Sequence, residues 1–130
     1  MRLAELTVVR HGQSAANAAL AAAEAAGRLD SGVAGRDADV ELTPLGLTQA
    51  AALGHRLADQ PSGERPQAVV CSPYRRAVQS WRSAQAAAAR RGVPLPDATV
   101  DARLSDRRMG ELELTGVYRV PSRGSRANHR

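Results

Sequence analysis

Apolar positions recur along the chain in two rhythms, one short and continuous, the other helical. Leu3 to Val9 (LAELTVV) is a mostly apolar run that ends in β-branched residues and passes directly into Arg10, His11 and Gly12, which predicts a buried strand feeding a turn. Ala68 to Cys71 (AVVC), bounded by Pro66 on one side and Ser72 and Pro73 on the other, predicts a second buried strand. The helical rhythm starts after the first turn, where Ser14 can cap AANAALAAAEAA and Gly27 is a natural stop. Thr43 can cap a second helix with Pro44 at its first position; Leu45, Gln49, Leu53 and Leu57 then share a face up to Asp59. A third helix follows the second strand, YRRAVQSWRSAQAAAARR, closed at Gly92.

Residues 28–41, rich in Gly and Asp, and the stretch QPSGERP lack periodicity and read as loops. Strand-to-helix units in succession imply parallel strands, so the expected class is α/β with a mainly parallel sheet. The pattern holds through residue 113, giving one domain over 1–113; residues 114–130 carry Gly, Pro, Ser and Arg without apolar period and read as a basic, disordered tail.

Composition changes this picture in two ways. Apolar residues are 43% of the 130, but aromatics are 2% and Phe is absent, so the core must be built from Ala, Leu and Val. At roughly 25 cal/mol per Å² of apolar surface, an Ala-rich helix contributes much less than a Leu-rich one. Every basic residue is Arg, and residues 1–113 hold 14 Arg against 13 acids, whereas 114–130 hold 4 Arg and no acid. The net charge of +5 therefore sits mostly in the tail, and a nearly neutral body with Trp81, Tyr74 and Tyr118 as its stacking groups argues against a nucleic-acid partner. Cys71 has no second cysteine to pair with and no His/Cys spacing suggests zinc, so it reads as a small buried residue at a strand end. With no signal-peptide pattern and no apolar run near the ~18 residues of a membrane span, the expectation is a soluble cytoplasmic protein without a membrane partner.

Strand ends in parallel α/β sheets gather side chains and helix N-termini at one edge, so Arg10 to Asn17 and Ser72 to Arg76 are expected to face one pocket. A phosphate there would meet free backbone N–H groups and a positive helix end, with Arg10 and Arg76 clamping its oxygens. His11 supplies a nucleophile, and Asp106, between Arg103 and Arg107, is the candidate acid for the leaving oxygen.

RHGQSAAN, from Arg10 to Asn17, resembles the signature of the histidine phosphatase superfamily. Three further segments agree in order: LTPLGLTQA at 42–50 is similar to the family's LTxxGxxQA, SPYRRAVQS at 72–80 to SxxxRAxxT, and RLSDRRMGELE at 103–113 to RLxExxxGxxE. The resemblance implies a partial three-layer α/β/α fold of the phosphoglycerate mutase-like kind. It further implies His11 as the phosphohistidine nucleophile, Arg10 and Arg76 on the transferring phosphoryl group, and Gly12, Gln13, Ser14 and Asn17 lining the phosphate and substrate site. Asp106 takes the place of the usual Glu acid, one methylene shorter. No metal and no cofactor are implied; the partner is a small phosphorylated substrate.

The family also has a second His in a V-x-H-G-like strand end after the acid. Here the later His129 has no such context, and His55 lies within ALGHRLAD, too early in the chain. Family members continue for several more strands and helices, so the chain reads as an N-terminal portion with the C-terminal half absent, truncated by a frameshift or early stop, and with open sheet edges through which it could self-associate. The expected activity is phosphomonoester hydrolysis, with mutase-type transfer and a catalytically impaired, phosphate-binding fragment as the alternatives.

Overall fold

The computed structural model describes residues 5–28, 32 and 35–105. Asp106 and the tail from 114 to 130 lie outside the described residues.

The three expected helices form, two of them on side-chain caps. In helix α1, Ala15–Ala25, the Ser14 side chain accepts the Asn17 N–H while the Asn17 side chain accepts the Ser14 N–H, a reciprocal capping box. Helix α2, Pro44–Asp59, starts on the Thr43 cap with proline in its first turn. Helix α3, Arg75–Ala89, follows strand β1, Val69–Cys71. Gly27 and Gly92 follow the ends of α1 and α3 in left-handed conformation.

Strand β2, Ala98–Val100, pairs with β1 in parallel, Val69 opposite Ala98 and Cys71 opposite Val100, with α3 as the crossover. These two strands make up the sheet among the described residues. Mixed helices and a small parallel sheet agree with the expected partial α/β, phosphoglycerate mutase-like fold. The pattern of residues 93–101 had predicted no strand; β2 is three residues long, too short for a period to show.

One expectation is corrected. Residues 5–9 form no strand and lie in the open, Leu6, Val8 and Val9 being 76%, 87% and 56% exposed. Their sequence suits a buried strand, but no strand among the described residues runs alongside them, and without a ladder the backbone gains nothing from extension. On α2, the leucine face is partly buried, with Leu45 exposed and Leu53 and Leu57 half-buried. The buried positions are Gly46, Ala50, Gly54 and Ala58, one turn apart, while Leu47 stays exposed.

The later part of that stripe of small residues, Gly54 and Ala58, lets α2 and α3 cross closely. A β-carbon on Gly54 would meet the Ala84 backbone, at 2.7 Å from its carbonyl carbon and 2.9 Å from its Cα. The two helices run in the same sense, since their ties advance together along both. Gln79 accepts from the Leu42 N–H (2.8 Å), Ser83 donates to the Leu47 carbonyl (2.9 Å), and Arg91 donates to the His55 carbonyl (2.9 Å) and pairs with Asp59. At the far end Ala58, Ala88 and Leu95 form a small core closed by Leu57, Trp81 and Val93. Trp81 and Gln85 donate to the carbonyls of Pro96 and Leu95, fixing the approach to β2.

Candidate active site

The turn that carries His11 is seated on the start of α2. Thr43 N donates to the Gln13 carbonyl (3.0 Å), Ala15 N to the Glu41 carbonyl (2.8 Å), and Ser14 and Leu42 form an antiparallel bridge. Contact is close because both sides are glycine: a β-carbon on Gly12 would sit 2.9 Å from the Gly46 carbonyl carbon. The Gln13 side chain is in turn held by the Thr43 hydroxyl at 2.7 Å.

Ser80 ties this turn to α3. Its hydroxyl accepts the Gly12 N–H at 3.0 Å and donates to the Arg76 carbonyl at 2.8 Å, so the turn and the helix bearing the second expected cation share one bridging group. His11 Nδ1 lies 2.6 Å from the Gly12 carbonyl oxygen. A carbonyl only accepts, so Nδ1 carries the proton and the lone pair of the neutral ring is on Nε2.

Beside the turn lies a cavity of about 450 Å³. Arg10, His11, Gly12 and Gln13 line it from the turn; Asn17, Leu20, Ala21 and Glu24 line it from one face of α1; Gln49 reaches it from α2. Five of the eight expected site residues thus come together: Arg10, His11, Gly12, Gln13 and Asn17.

Ser14 and Arg76 do not join them, and the eighth, Asp106, is not among the described residues. Ser14 is buried and outside the lining, its hydroxyl occupied by the α1 cap. Arg76 is also buried, and its guanidinium lies outside the lining. Nη1 donates to the Asp37 carbonyl (2.8 Å) and carboxylate (2.9 Å), Nη2 reaches the second carboxylate oxygen at 3.4 Å, and the group sits 4.9 Å from the centre of the Tyr74 ring. Ahead of Asp106 in the chain, Asp101 caps the turn Ala102–Leu104, and hydrogen bonds from the Arg103 side chain, then its backbone N–H, hold the Asp101 carboxyl below its ordinary range. Burial pushes the Cys71 thiol up, as suits a small buried residue and not a nucleophile.

Much of the backbone cradle expected for a phosphate is also engaged within the protein. Gly12 N donates to Ser80, Gln13 N to Gln49, Ser14 N to Asn17, Ala15 N to Glu41 and Asn17 N to Ser14. The side chains here that could meet an anion are Arg10, His11 and the Asn17 amide, whose NH₂ is not used by the cap. Asp37, Ser80, Gln49 and Gln79 escaped the sequence reading. Gln49 and Ser80 lie inside motif segments that were recognised, but their roles depend on which backbone N–H each one meets.

No helix among the described residues is long and apolar enough to cross a membrane. No curated protein and no solved structure matches the chain. The model of the histidine phosphatase superfamily (branch 1), a family of phosphoryl-transfer domains acting on small phosphorylated substrates, matches residues 6–124. Over nearly its whole length, then, this chain belongs to the histidine phosphatase superfamily.

Proposed function

We propose that the chain hydrolyses a small phosphomonoester through a phosphohistidine on His11. The observation that carries this reading is the His11 ring: Nδ1 is held by the Gly12 carbonyl, which leaves Nε2 as the nucleophilic nitrogen, in a cavity that Arg10 also lines. Nε2 attacks phosphorus as the ester P–O bond breaks, and the leaving oxygen takes a proton from Asp106. Water then attacks the phosphohistidine, giving its proton to the Asp106 carboxylate and releasing inorganic phosphate. Arg10 and Asn17 hold the equatorial oxygens; Arg76 joins them once its guanidinium leaves Asp37.

Hydrolysis is favoured over mutase transfer by the charge of the cavity. A mutase must retain a phosphorylated product while it is turned, which calls for several cations. Among the described residues the lining has one Arg and adds a carboxylate, Glu24. A second reading, a phosphate-binding domain with impaired turnover, is favoured by the engagement of Arg76 with Asp37. Loss of a transition-state donor costs about 10²–10³ in rate.

Hydrolysis of p-nitrophenyl phosphate by wild type and His11→Ala separates the two. The hydrolytic reading expects an acid-labile phosphoenzyme in wild type and a fall of at least about a hundredfold in the variant. Equal background rates, with phosphate still shifting the His11 ring resonances, would overturn it in favour of binding.

A further inference from the structure

The cavity beside His11 has charge of both signs, arranged along a line. Asn17, Leu20, Ala21 and Glu24 follow one another on α1 at the spacing of a single helix face. Arg10 and His11 lie on the turn that leads into this helix, and Glu24 is at the far end of the face, two turns or about 10 Å along the axis from Asn17. Leu20 and Ala21 between them make the middle of the wall apolar.

Asp37, Asp39, Glu41, Asp59 and Asp101 are each neutralised by an Arg, whereas Glu5, Glu64 and Asp97, like Glu24, form no ion pair among the described residues. Arg10 forms none there either, and what distinguishes Arg10 and Glu24 is that both line this cavity. A groove with an unneutralised cation at one end, a carboxylate at the other and an apolar wall between is complementary to a ligand of opposite polarity.

We infer that the substrate is a phosphomonoester whose alcohol part carries a cationic group, such as an amine, at the end away from the phosphate. Glu24 is the residue that selects it. This rests on the proposed hydrolytic reading of His11, which puts the phosphoryl group at the Arg10 end. The leaving group then lies along α1, its methylenes on Leu20 and Ala21 and its ammonium at Glu24. Since helix side chains lean toward the N-terminus, the carboxylate sits somewhat closer than the axial 10 Å. A chain of medium length fits better than the shortest amino alcohol.

The test uses matched esters, 5-aminopentyl phosphate against pentyl phosphate and 2-aminoethyl phosphate against ethyl phosphate, hydrolysed by wild type, Glu24→Gln and His11→Ala. Wild type is expected to favour the five-carbon amine over its neutral match by about threefold in kcat/KM, the scale of a solvent-exposed ion pair. The two-carbon pair is expected to show less preference, and in Glu24→Gln the five-carbon ratio falls to unity. A ratio of one in wild type, or one that persists in Glu24→Gln, overturns the inference while leaving the His11 reading intact. Hydrolysis undiminished in His11→Ala overturns that reading instead. Should wild type turn over neither ester, the same ratio is read as relative affinity from the shift of the His11 ring resonances on titration, and parity there again overturns the inference.

Discussion

The crossing of α2 and α3 and the segment Leu6 to Val9 invert the usual association of size with burial. At the crossing Gly54 meets Ala84 and Ala58 packs with Ala88, all buried, whereas the larger Leu6, Val8 and Val9 lie in water. A helix satisfies its own backbone, so two helices need only surfaces that fit, and the smallest side chains fit most closely. A strand has no such independence. Its apolar face is buried only after neighbouring strands have taken its N–H and C=O groups. Burial in this chain follows the availability of a partner surface more than the hydrophobicity of the residue.

The comparison is broken most severely at Gly54. In an exposed helix interior, Gly→Ala gains about 1 kcal/mol. Here the added β-carbon meets the Ala84 backbone, which cannot rotate away, and Gly54→Ala is expected to lose about 2–3 kcal/mol, as overpacking does. The control is Gly63→Ala, where a β-carbon meets nothing within 4 Å and the shift should stay below about 0.5 kcal/mol. Urea unfolding followed by helix ellipticity reads both, and a Gly54→Ala protein as stable as wild type would remove the close crossing from the structure.

Two adjacent arginines repeat the contrast with charge in place of size. Arg76 and Asp37 have side chains 8% and 23% exposed, while Arg75 and Glu41 are 56% and 54% exposed. Removing one member of a buried pair strands the other, at about 3–5 kcal/mol when both are fully buried; Asp37 keeps some water, so Arg76→Ala is expected to cost about 2 kcal/mol. Arg75→Ala should cost about 0.5 kcal/mol and lose that difference in high salt. Equal losses in the same urea experiment would mean that Asp37 does not hold Arg76 in solution.

What was legible beforehand was what the chain states locally. Ser14, Thr43 with Pro44, Gly27 and Gly92 act within a turn of themselves, and α1 and α2 begin, and α1 and α3 end, close to where these residues put them. The grouping of Arg10, His11, Gly12, Gln13 and Asn17 was legible for the same reason, since one turn and one helix face carry all five. The pairing of Arg76 with Asp37 spans 39 positions, and Ser80 finds Gly12 across 68. Nothing near either residue announces such a partner. The stripe of small residues on α2 was missed because leucine dominates a hydrophobic pattern, while glycine and alanine pack through the backbone they leave uncovered.

The smallest expected effect tests the other half of the comparison. Leu6 and Val8 retain most of their surface in water, so their transfer from solvent contributes little, and a Leu6→Ser, Val8→Ser double variant should unfold within about 0.5 kcal/mol of wild type. The measurement is informative because the result depends on the environment and not on the residues themselves. The same two side chains in a buried strand would cost several times more, about 2–5 kcal/mol for each large apolar side chain lost. A loss of that size that is independent of protein concentration would mean that this segment has found a covering surface within its own chain. A loss that grows with concentration would put the covering surface on a second copy, since only an intermolecular contact is weakened by dilution.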